Sequence, residues 1–528
     1  MNMELPAKRP VRFFNTTGPC WPWDHYMLPP ADRLIDAQLD RYIKDKLYWV
    51  LHAPRQTGKT TFLQSWAREI NAGGEAVACY ISIERCQLMP EPELCMPNLC
   101  AAIQDHAYSS HLPVPEVKKT AAGSMLVEIL RNFSEVVAPK PLVLLFDEAD
   151  ALEGYAMVSF LRQLREGFMY RDIGRFPVSI ALVGMRDLND YITAAKDGIS
   201  PSPLSPFNIK ADSILLGDFS EEEVQKLFAQ RTEETGQTIT DEALKYVWEQ
   251  SMGQPWIVNS LFMRSTMRVL RCDDYSTVTR EHIEKAREEM ILARETHLDS
   301  LANRLRDPEI RKVMEAFLTG NNHCPELADS DAFRICQDLG LVKVGRQCEL
   351  SIANPIYREV LARQVTFSTQ MGIPVPDWQW EKPDGSLDMD ALLREFQVFW
   401  RENSEIWEEK SDYTEAFPHL LLMAFLQRVL NGGGRIEREY AAGRGRMDLL
   451  VEYGGKNHVI EIKMVYEKQS PDTIRARGIA QTAKYRDTKA PTAPAYLVIF
   501  DRRPETKQKS WDERISWSEE NGITVLEC

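Results

Sequence analysis

A short apolar segment near the start of this chain runs directly into a loop that contains glycine and lysine. Residues 47–52 read LYWVLH and residues 53–60 read APRQTGKT, and a helical pattern follows. A loop that holds nucleotide phosphates needs converging backbone N–H groups, a lysine, a hydroxyl for Mg²⁺ and a helix N-terminus behind it. Lys59 and Thr60 supply the cation and the hydroxyl. The pattern therefore predicts a strand–loop–helix phosphate site within an α/β fold.

The first position of such loops is usually glycine, and here it is alanine. Alanine is the smallest residue that could replace it, so we expect the change to be tolerated. The candidate nucleotide-binding residues are Ala53, Pro54, Arg55, Gln56, Thr57, Gly58, Lys59, Thr60 and Thr61.

A second apolar run ends in acidic residues. Residues 141–150 read PLVLLFDEAD, which is typical of a buried central strand in a parallel sheet. In a phosphate-loop enzyme the first acid at the strand end orders Mg²⁺, and the next polarises the attacking water. We assign these roles to Asp147 and Glu148, with Thr60 as the other metal-side residue. Solvated acids at a strand end are the alternative, which the nearby Lys59 loop disfavours.

Further strand and helix patterns extend this unit. Residues 76–83, 178–184 and 214–216 bring the predicted total to five strands with helices between them, as in a doubly wound parallel sheet. Arg186 follows one of these strands, where it either contacts the γ-phosphate or lies on the surface. A capping-box pattern at Ser220 then opens a helical region.

The chain is long enough, at 528 residues, for roughly three or four domains. No apolar run approaches the ~18 residues that cross a bilayer, and the N-terminus lacks the apolar core of a signal peptide. We therefore expect a cytoplasmic protein without a membrane partner. Ten cysteines lie scattered without a C-x-x-C pair, which favours reduced thiols.

The C-terminal part carries a second pattern of acids and lysine. Two strand patterns flank the hairpin turn YGGK at residues 453–456. Asp448 lies on the first strand, and strand alternation puts Glu461 and Lys463 on one face of the second. Two carboxylates can hold Mg²⁺ against a phosphodiester, and a lysine can offset the negative charge that develops there. Alone the pattern is weak, because most Glu-x-Lys pairs on strands are solvated ion pairs.

Several segments, in one order, resemble bacterial AAA-like, STAND-related ATPases with a C-terminal PD-(D/E)xK nuclease-like domain. They are FNTTGPCWPWDHYMLPPADRL, HAPRQTGKTT, LLFDEAD, LVGMRDL, SPFNIKADSILLGDFS, GQPWIVNSL, ANPIYREVL, GRGRMDLLVEYGGK and VIEIK. The resemblance implies that ATP and Mg²⁺ are the cofactors, that Arg186 contacts the terminal phosphate, and that Gly253 and Pro255 lie by the adenine. The motif proline of the nuclease is missing, since Met447 precedes Asp448.

In this nuclease-like family a helix follows the E-x-K strand and borders the site. Residues 477–487 place Gln481 and Tyr485 on one face of such a helix. The candidate catalytic residues are thus Glu148, Asp448, Glu461, Lys463 and Gln481, and the candidate metal ligands are Thr60, Asp147, Asp448 and Glu461.

Three further charged residues in this part have two interpretations each. Glu415 matches a further acidic position of many of these nucleases, or simply favours the dipole of its helix. Arg444 and Arg446 either meet an incoming phosphate or form a solvated rim.

The predicted fold is an α/β P-loop doubly wound parallel sheet with a helical lid and a winged helix, followed by a separate α/β nuclease-like domain. The predicted domains are an N-terminal arm (1–30), an ATPase core (31–218), a helical lid (219–300), a winged helix (301–370), a connector (371–410) and the nuclease-like domain (411–528).

The predicted function is an ATP-binding and ATP-hydrolysing switch coupled to a Mg²⁺-dependent nuclease, with defence against foreign nucleic acid as an analogy. One alternative is an ATP-dependent regulatory scaffold with a catalytically silent nuclease fold, and another makes the winged helix the DNA-binding element. The net charge is −15, whereas residues 435–528 are nearly balanced, so nucleic acid, DNA before RNA, would meet the C-terminal domain. Homo-oligomer formation stays open.

Overall fold

The computed structural model divides into two compact units. One comprises Met1–Ala293 with Asp338–Gly340, and the other comprises Arg294–Gln337 with Leu341–Cys528. The residues that the structure describes are 12–34, 38–118, 120–185, 209–271, 274–293, 296–318, 330–345, 350–372, 380–410, 417–430, 434–439, 448–467 and 469–528.

The first unit is built on a five-stranded parallel sheet with the order β2-β3-β4-β1-β5. Its strands are β1 (Tyr48–His52), β2 (Val77–Ser82), β3 (Leu142–Asp147), β4 (Ser179–Gly184) and β5 (Lys210–Leu215). Two of the three interior strands, β3 and β4, are buried along their whole length. The predicted five-stranded parallel sheet is confirmed, and β5 begins four residues before the predicted segment.

Helices cover both faces of this sheet. They are Leu39–Lys44, Lys59–Gly73, Pro92–Ser109, Ala122–Val136 and Gly154–Phe168, with 3-10 turns at Pro30–Arg33, Glu84–Cys86, Ala149–Ala151 and Arg171–Ile173. Alternate residues of β1 enter two separate cores: Tyr48 packs with the Phe133 and Phe160 side, and Trp49 packs with the Trp66 side. This alternation is what a doubly wound sheet requires, because each face must bury its own helices.

A helical region follows β5 in the same unit. Its helices are Glu221–Thr235, Asp241–Ser251, Pro255–Arg264 and Arg280–Leu292, and Ser265–Val269 forms a π-helical turn. The predicted capping box is confirmed, since Glu223 N donates to Ser220 Oγ at 3.2 Å and Ser220 N donates to Glu223 Oε2 at 2.7 Å. We call residues 219–293 the lid.

The second unit begins with a helical region that contains a short hairpin. Its helices are Thr296–Arg304, Pro308–Leu318, Asp331–Asp338 and Pro355–Gly372. The strands β6 (Val342–Val344) and β7 (Leu350–Ile352) pair antiparallel. The winged-helix assignment of residues 301–370 stays a prediction.

The rest of the second unit surrounds a six-stranded mixed sheet with the order β12-β13-β11-β10-β9-β8. The strands are β8 (Gly434–Glu439), β9 (Asp448–Tyr453), β10 (Lys456–Val465), β11 (Ala495–Asp501), β12 (Ser516–Glu520) and β13 (Ile523–Glu527), and the helices are Met389–Lys410, Phe417–Leu430, Pro471–Lys489, Pro504–Lys507 and Trp511–Arg514. Strands β8, β9 and β10 form an antiparallel meander, and β11 returns parallel to β10 after the helix Pro471–Lys489.

The turn between β9 and β10 sets the register of this sheet. Gly454 and Gly455 have φ values of +56° and +74°, the left-handed region that a two-residue hairpin turn requires. Tyr453 therefore faces Lys456, and Asp448 faces Glu461. The predicted hairpin is confirmed. No helix within the described part of the chain is long and apolar enough to cross a membrane.

Candidate functional site

The phosphate loop (residues 53–60) connects β1 to the helix Lys59–Gly73, as the sequence predicts. Ala53 is buried, and its N–H donates to Gly184 O of the neighbouring strand β4 at 3.3 Å. Its φ is not positive, so alanine fits where the pattern usually has glycine. Gly58 does need to be glycine, because its φ is +96° and a Cβ would lie 2.9 Å from Arg33 Nη2.

Lys59 places its ammonium inside the curve of this loop. Nζ donates to Ala53 O at 2.7 Å and to Pro54 O at 2.8 Å. Burial lowers the pKa of Lys59 to about 8, although the nearby carboxylates of Asp147 and Asp150 oppose this shift. The loop therefore presents a cation whose charge depends on pH close to neutrality.

Asp147, the last residue of β3, faces the hydroxyl of Thr60. Thr60 Oγ1 donates to Asp147 Oδ2 at 2.6 Å, and the phenol of Tyr80 donates to the same oxygen at 3.2 Å. Burial raises the pKa of Asp147, while the bond from Thr60 and the charge of Lys59 lower it. A hydroxyl and a carboxylate in contact are suitable ligands for Mg²⁺, which takes one or two carboxylates together with nucleotide phosphates.

Glu148 follows in a left-handed conformation, with φ of +59°. Its N–H donates to Asp147 Oδ1 at 3.0 Å, and Ser82 Oγ donates to Glu148 Oε2 at 3.2 Å. Burial and, next, the charge of Asp147 raise the pKa of Glu148. A carboxylate held in place with a raised pKa is suited to accept a proton from water.

These residues line one cavity of about 430 Å³, a size suited to a small-molecule ligand. It contains the predicted residues Arg55, Gln56, Gly58, Lys59, Thr60, Thr61, Asp147, Glu148 and Pro255, and also Asn15, Thr16, Gly18, Pro19, Cys20, Glu84, Gln87, Asp150, Ala151, Met185, Trp256 and Asn259, to which the sequence analysis assigned no role.

The N-terminal segment (residues 12–27) is the largest contribution that the sequence analysis missed. Cys20 N donates to Thr61 Oγ1 at 3.0 Å, and Trp256 Nε1 donates to Thr16 O at 3.0 Å. Phe14 is buried against Phe228 and Phe262 of the lid. The segment thus joins the phosphate-loop helix to the lid. Its concentration of Asn, Gly, Pro and aromatic residues was the available signal.

The lid reaches the phosphate loop through Gln254. Gln254 Oε1 accepts from Ile257 N at 2.7 Å, and Nε2 donates to Gln56 O at 3.4 Å. Pro255 begins the following helix and lines the cavity. Arg186, which was predicted to contact the terminal phosphate, lies outside the described residues.

The C-terminal candidate site lies on the face of β10 that packs against the helix Pro471–Lys489. Glu461 is 1% exposed, and its Oε1 pairs with Lys463 Nζ. Its other oxygen, Oε2, is buried and has no hydrogen-bond partner among the described residues, and the same holds for Gln481 Oε1. A buried carboxylate oxygen without a donor fits a divalent cation.

The backbone brings Asp448 into this region, since it is the register partner of Glu461. The helix that carries Gln481 approaches β10 closely at Gly478, where a Cβ would lie 3.3 Å from Lys463 Cγ. The side chain of Asp448 and all of Glu415, Arg444 and Arg446 lie outside what the structure describes.

Residues 43–192 match the family model of an AAA domain. This part of the chain is similar to AAA domains. This match covers β1, the phosphate loop, β2, β3 and β4, and it implies nucleotide binding, usually with Mg²⁺. The search of curated proteins finds no match.

Three solved structures illustrate what the chain is similar to. The Walker-type ATPase of Pyrococcus abyssi is 15% identical with a TM-score of 0.47, over 66% of this chain and 99% of its own. Cdc6p from Pyrobaculum aerophilum is 13% identical with a TM-score of 0.34, over 64% and 93%. The Holliday junction branch migration motor RuvB of Thermotoga maritima is 16% identical with a TM-score of 0.33, over 64% and 92%. None of the three reaches a TM-score of 0.5.

Proposed function

We propose that the AAA domain binds ATP with Mg²⁺ and hydrolyses it. The observation that carries this proposal is that Lys59, Thr60, Asp147 and Glu148 line one cavity at the carboxyl ends of β1 and β3. Parallel sheets bind ligands at this edge. Phosphoryl transfer to water requires a loop that holds the phosphates, ligands for Mg²⁺ and a carboxylate that accepts a proton. The cavity contains residues suited to all three tasks.

Each residue has a separate task in this proposal. Lys59 exchanges its bonds to Ala53 O and Pro54 O for phosphate oxygens. Thr60 and Asp147 hold Mg²⁺, which would neutralise charge on the phosphates. Glu148, oriented by Ser82, takes the proton of the attacking water.

The lid supplies the conformational part of the proposed switch. The backbone N–H of Phe219 donates to Gly253 O at 2.8 Å. The side chain of Gln254 donates to Gln56 O in the phosphate loop. We propose that Pro255 lies by the adenine, as the family resemblance implies, and that Arg186 contacts the γ-phosphate. A ligand that bridges the loop and the lid favours one angle between them.

Calorimetric titration of ATP with Mg²⁺ into the full chain tests the site. Lys59→Ala should remove measurable binding, because the phosphates lose their main positive partner. Lys245→Ala is the matched control, since that lysine is exposed on the lid in a solvated pair with Glu249. Unchanged ATP affinity in a folded Lys59→Ala variant would refute the assignment of the loop.

A second candidate function, a Mg²⁺-dependent nuclease, is supported by the buried and partly unpartnered carboxylate of Glu461. The meander β8-β9-β10 followed by a helix and the parallel strand β11 places Asp448 in register with Glu461 on a neighbouring strand. We propose that Asp448 and Glu461 hold the metal, that Lys463 offsets negative charge at the cleaved phosphodiester, and that Gln481 borders the site. DNA is the favoured substrate over RNA, and a role in defence against foreign nucleic acid is an analogy.

Cleavage assays on single- and double-stranded DNA and RNA, with and without ATP, test this second candidate. Asp448→Ala should abolish metal binding at the site and cleavage, whereas Lys463→Ala should abolish cleavage and keep the metal. Lys456→Ala is the control, because this lysine on the same strand pairs with Asp384 in an exposed contact. If wild-type protein cleaves nothing with Mg²⁺ or Mn²⁺ in any nucleotide state, the regulatory scaffold is the better description of the second unit.

A further inference from the structure

Asn259 is a buried amide in the wall of the nucleotide cavity to which neither the sequence pattern nor the family match assigns a role. It lies one turn after Pro255 on the helix Pro255–Arg264, and it is 7% exposed. It lines the cavity together with Trp256, whose indole holds Thr16 of the N-terminal segment. Asn259 therefore belongs to the part of the wall that the lid and the N-terminal segment build, apart from Asp147 at the end of β3 and Glu148 after it.

The orientation of the Asn259 amide is set by one hydrogen bond. Nδ2 donates to Pro255 O, four residues earlier, at 2.9 Å. The reverse orientation would bring two oxygens together, so the assignment of oxygen and nitrogen is determined by this contact. The atom that remains is Oδ1, an acceptor that is shielded from water and has no partner among the described residues. An unpaired buried acceptor is unfavourable, and a ligand donor would relieve that cost.

Two neighbouring amides, Asn15 on the cavity wall and Gln254 at the start of the helix that carries Asn259, use their groups within the protein. Asn15 Nδ2 donates to Gly18 O and to Pro19 O at 3.3 Å each, and Asn15 Oδ1 accepts from Thr17 N at 3.0 Å. Gln254 caps its helix and contacts Gln56. Asn259 differs from both, because its side-chain oxygen has no partner among the described residues and is left for a ligand.

We propose that Asn259 Oδ1 accepts a hydrogen bond from the 6-amino group of a bound adenine and thereby selects 6-aminopurine nucleotides. This inference rests on the proposed function and names the base that the site prefers. An adenine presents an N–H donor at this position, whereas a guanine presents a carbonyl oxygen that would face Oδ1 with the same partial charge. A site built to bond a ligand N–H rejects analogues that lack it, because the buried acceptor is then left unpaired.

The test compares ATP with purine riboside triphosphate, which has hydrogen in place of the 6-amino group, by calorimetry on the full chain with Mg²⁺. Wild-type protein should bind ATP about 3- to 10-fold more tightly, the range of one neutral hydrogen bond. GTP should bind more weakly than either. Asn259→Leu, which removes the acceptor at similar volume, should bind ATP and purine riboside triphosphate with equal affinity.

Asn98→Leu is the matched control, because it also removes a hydrogen bond from an asparagine side chain to a backbone carbonyl of its own helix. Asn98 Nδ2 donates to Leu94 O, also four residues earlier, at 2.8 Å, and Asn98 does not line the cavity. This variant should keep the wild-type preference for ATP. Thermal melting of each variant confirms that it is folded.

Two results would overturn the inference and leave the ATP site intact: equal affinity of wild-type protein for both triphosphates, or an undiminished preference in Asn259→Leu. The first needs no variant, so a misfolded substitution does not block the test. If wild-type protein binds neither triphosphate, the proposed nucleotide site itself is refuted, and the inference falls with it.

Discussion

The lowered pKa of Lys59 makes ATP affinity depend on pH in a range where the nucleotide itself no longer titrates. Burial lowers this pKa to about 8 from its ordinary value near 10.5. Only the ammonium form neutralises phosphate, so binding should favour the protonated state and take up a proton when the free protein has lost it. Affinity should be nearly constant up to pH 7.5 and should fall about tenfold per pH unit above pH 8.

Calorimetry in buffers of different ionisation enthalpy measures this proton uptake directly. About 0.5 proton should be taken up per ATP bound at pH 8 and about 0.9 at pH 9. Lys59→Arg is the control, because a guanidinium stays charged throughout this range, and its affinity should not follow the same curve. An affinity of wild-type protein that is flat from pH 7 to 9.5, with no proton uptake, would refute the lowered pKa.

The same shift also affects folding. Between pH 8 and about 10.5 the unfolded chain holds a proton on Lys59 that the native protein has released, so this group makes the native state more stable as pH rises through that window. Stability and ATP affinity should therefore change in opposite directions above pH 8.

Two substitutions in the cavity test separate parts of the site. Glu148→Gln should keep ATP affinity and lower turnover by about 100-fold or more, since an amide still accepts from Ser82 but cannot take a proton from water. Single-turnover hydrolysis measures this, and wild-type turnover would move the base elsewhere. Trp256→Phe removes the donor to Thr16 O and should destabilise the unit by about 1 kcal/mol and weaken ATP binding. Urea unfolding with and without ATP checks both effects, and unchanged midpoints would contradict the role of the N-terminal segment.

Sequence patterns predicted the features that depend on neighbours along the chain. The phosphate loop, the acidic end of β3 and the turn at residues 453–456 each need only a few consecutive residues to define their chemistry, and all three occur as expected. Strand alternation also placed Glu461 and Lys463 on one face, where their side chains pair, because side chains on a strand alternate whatever surrounds it.

Features that depend on distant contacts were missed. The bond from Trp256 to Thr16 joins residues 240 positions apart, and neither residue has a local pattern that indicates the other. The start of β5 was placed too late, because this edge strand is mostly exposed and lacks an apolar run before Ile214. The free acceptor of Asn259 is likewise visible only once the carbonyl of Pro255 has fixed its amide.

The junction between the lid and the ATPase sheet depends on Gly253 for two reasons that can be separated. Its φ is +78°, and a Cβ at this position would lie 1.9 Å from Phe219 O. Gly236, at the end of the helix Glu221–Thr235, has a similar φ of +76° but nothing within 4 Å of a Cβ. Alanine at either position should lower the free energy of unfolding by roughly 1–2 kcal/mol, because a Cβ disfavours the left-handed backbone conformation.

Gly253→Ala must in addition force the backbone of Phe219 away and break the bond from Phe219 N to Gly253 O, a further cost of about 1 kcal/mol or more. Denaturant midpoints of the two variants should therefore differ, with Gly253→Ala the less stable. ATP affinity should fall in Gly253→Ala alone, because the adjacent Gln254 would lose its position over Gln56. Equal destabilisation by both substitutions would mean that the contact between Phe219 and Gly253 does not hold the lid, since backbone conformation would then account for the whole effect.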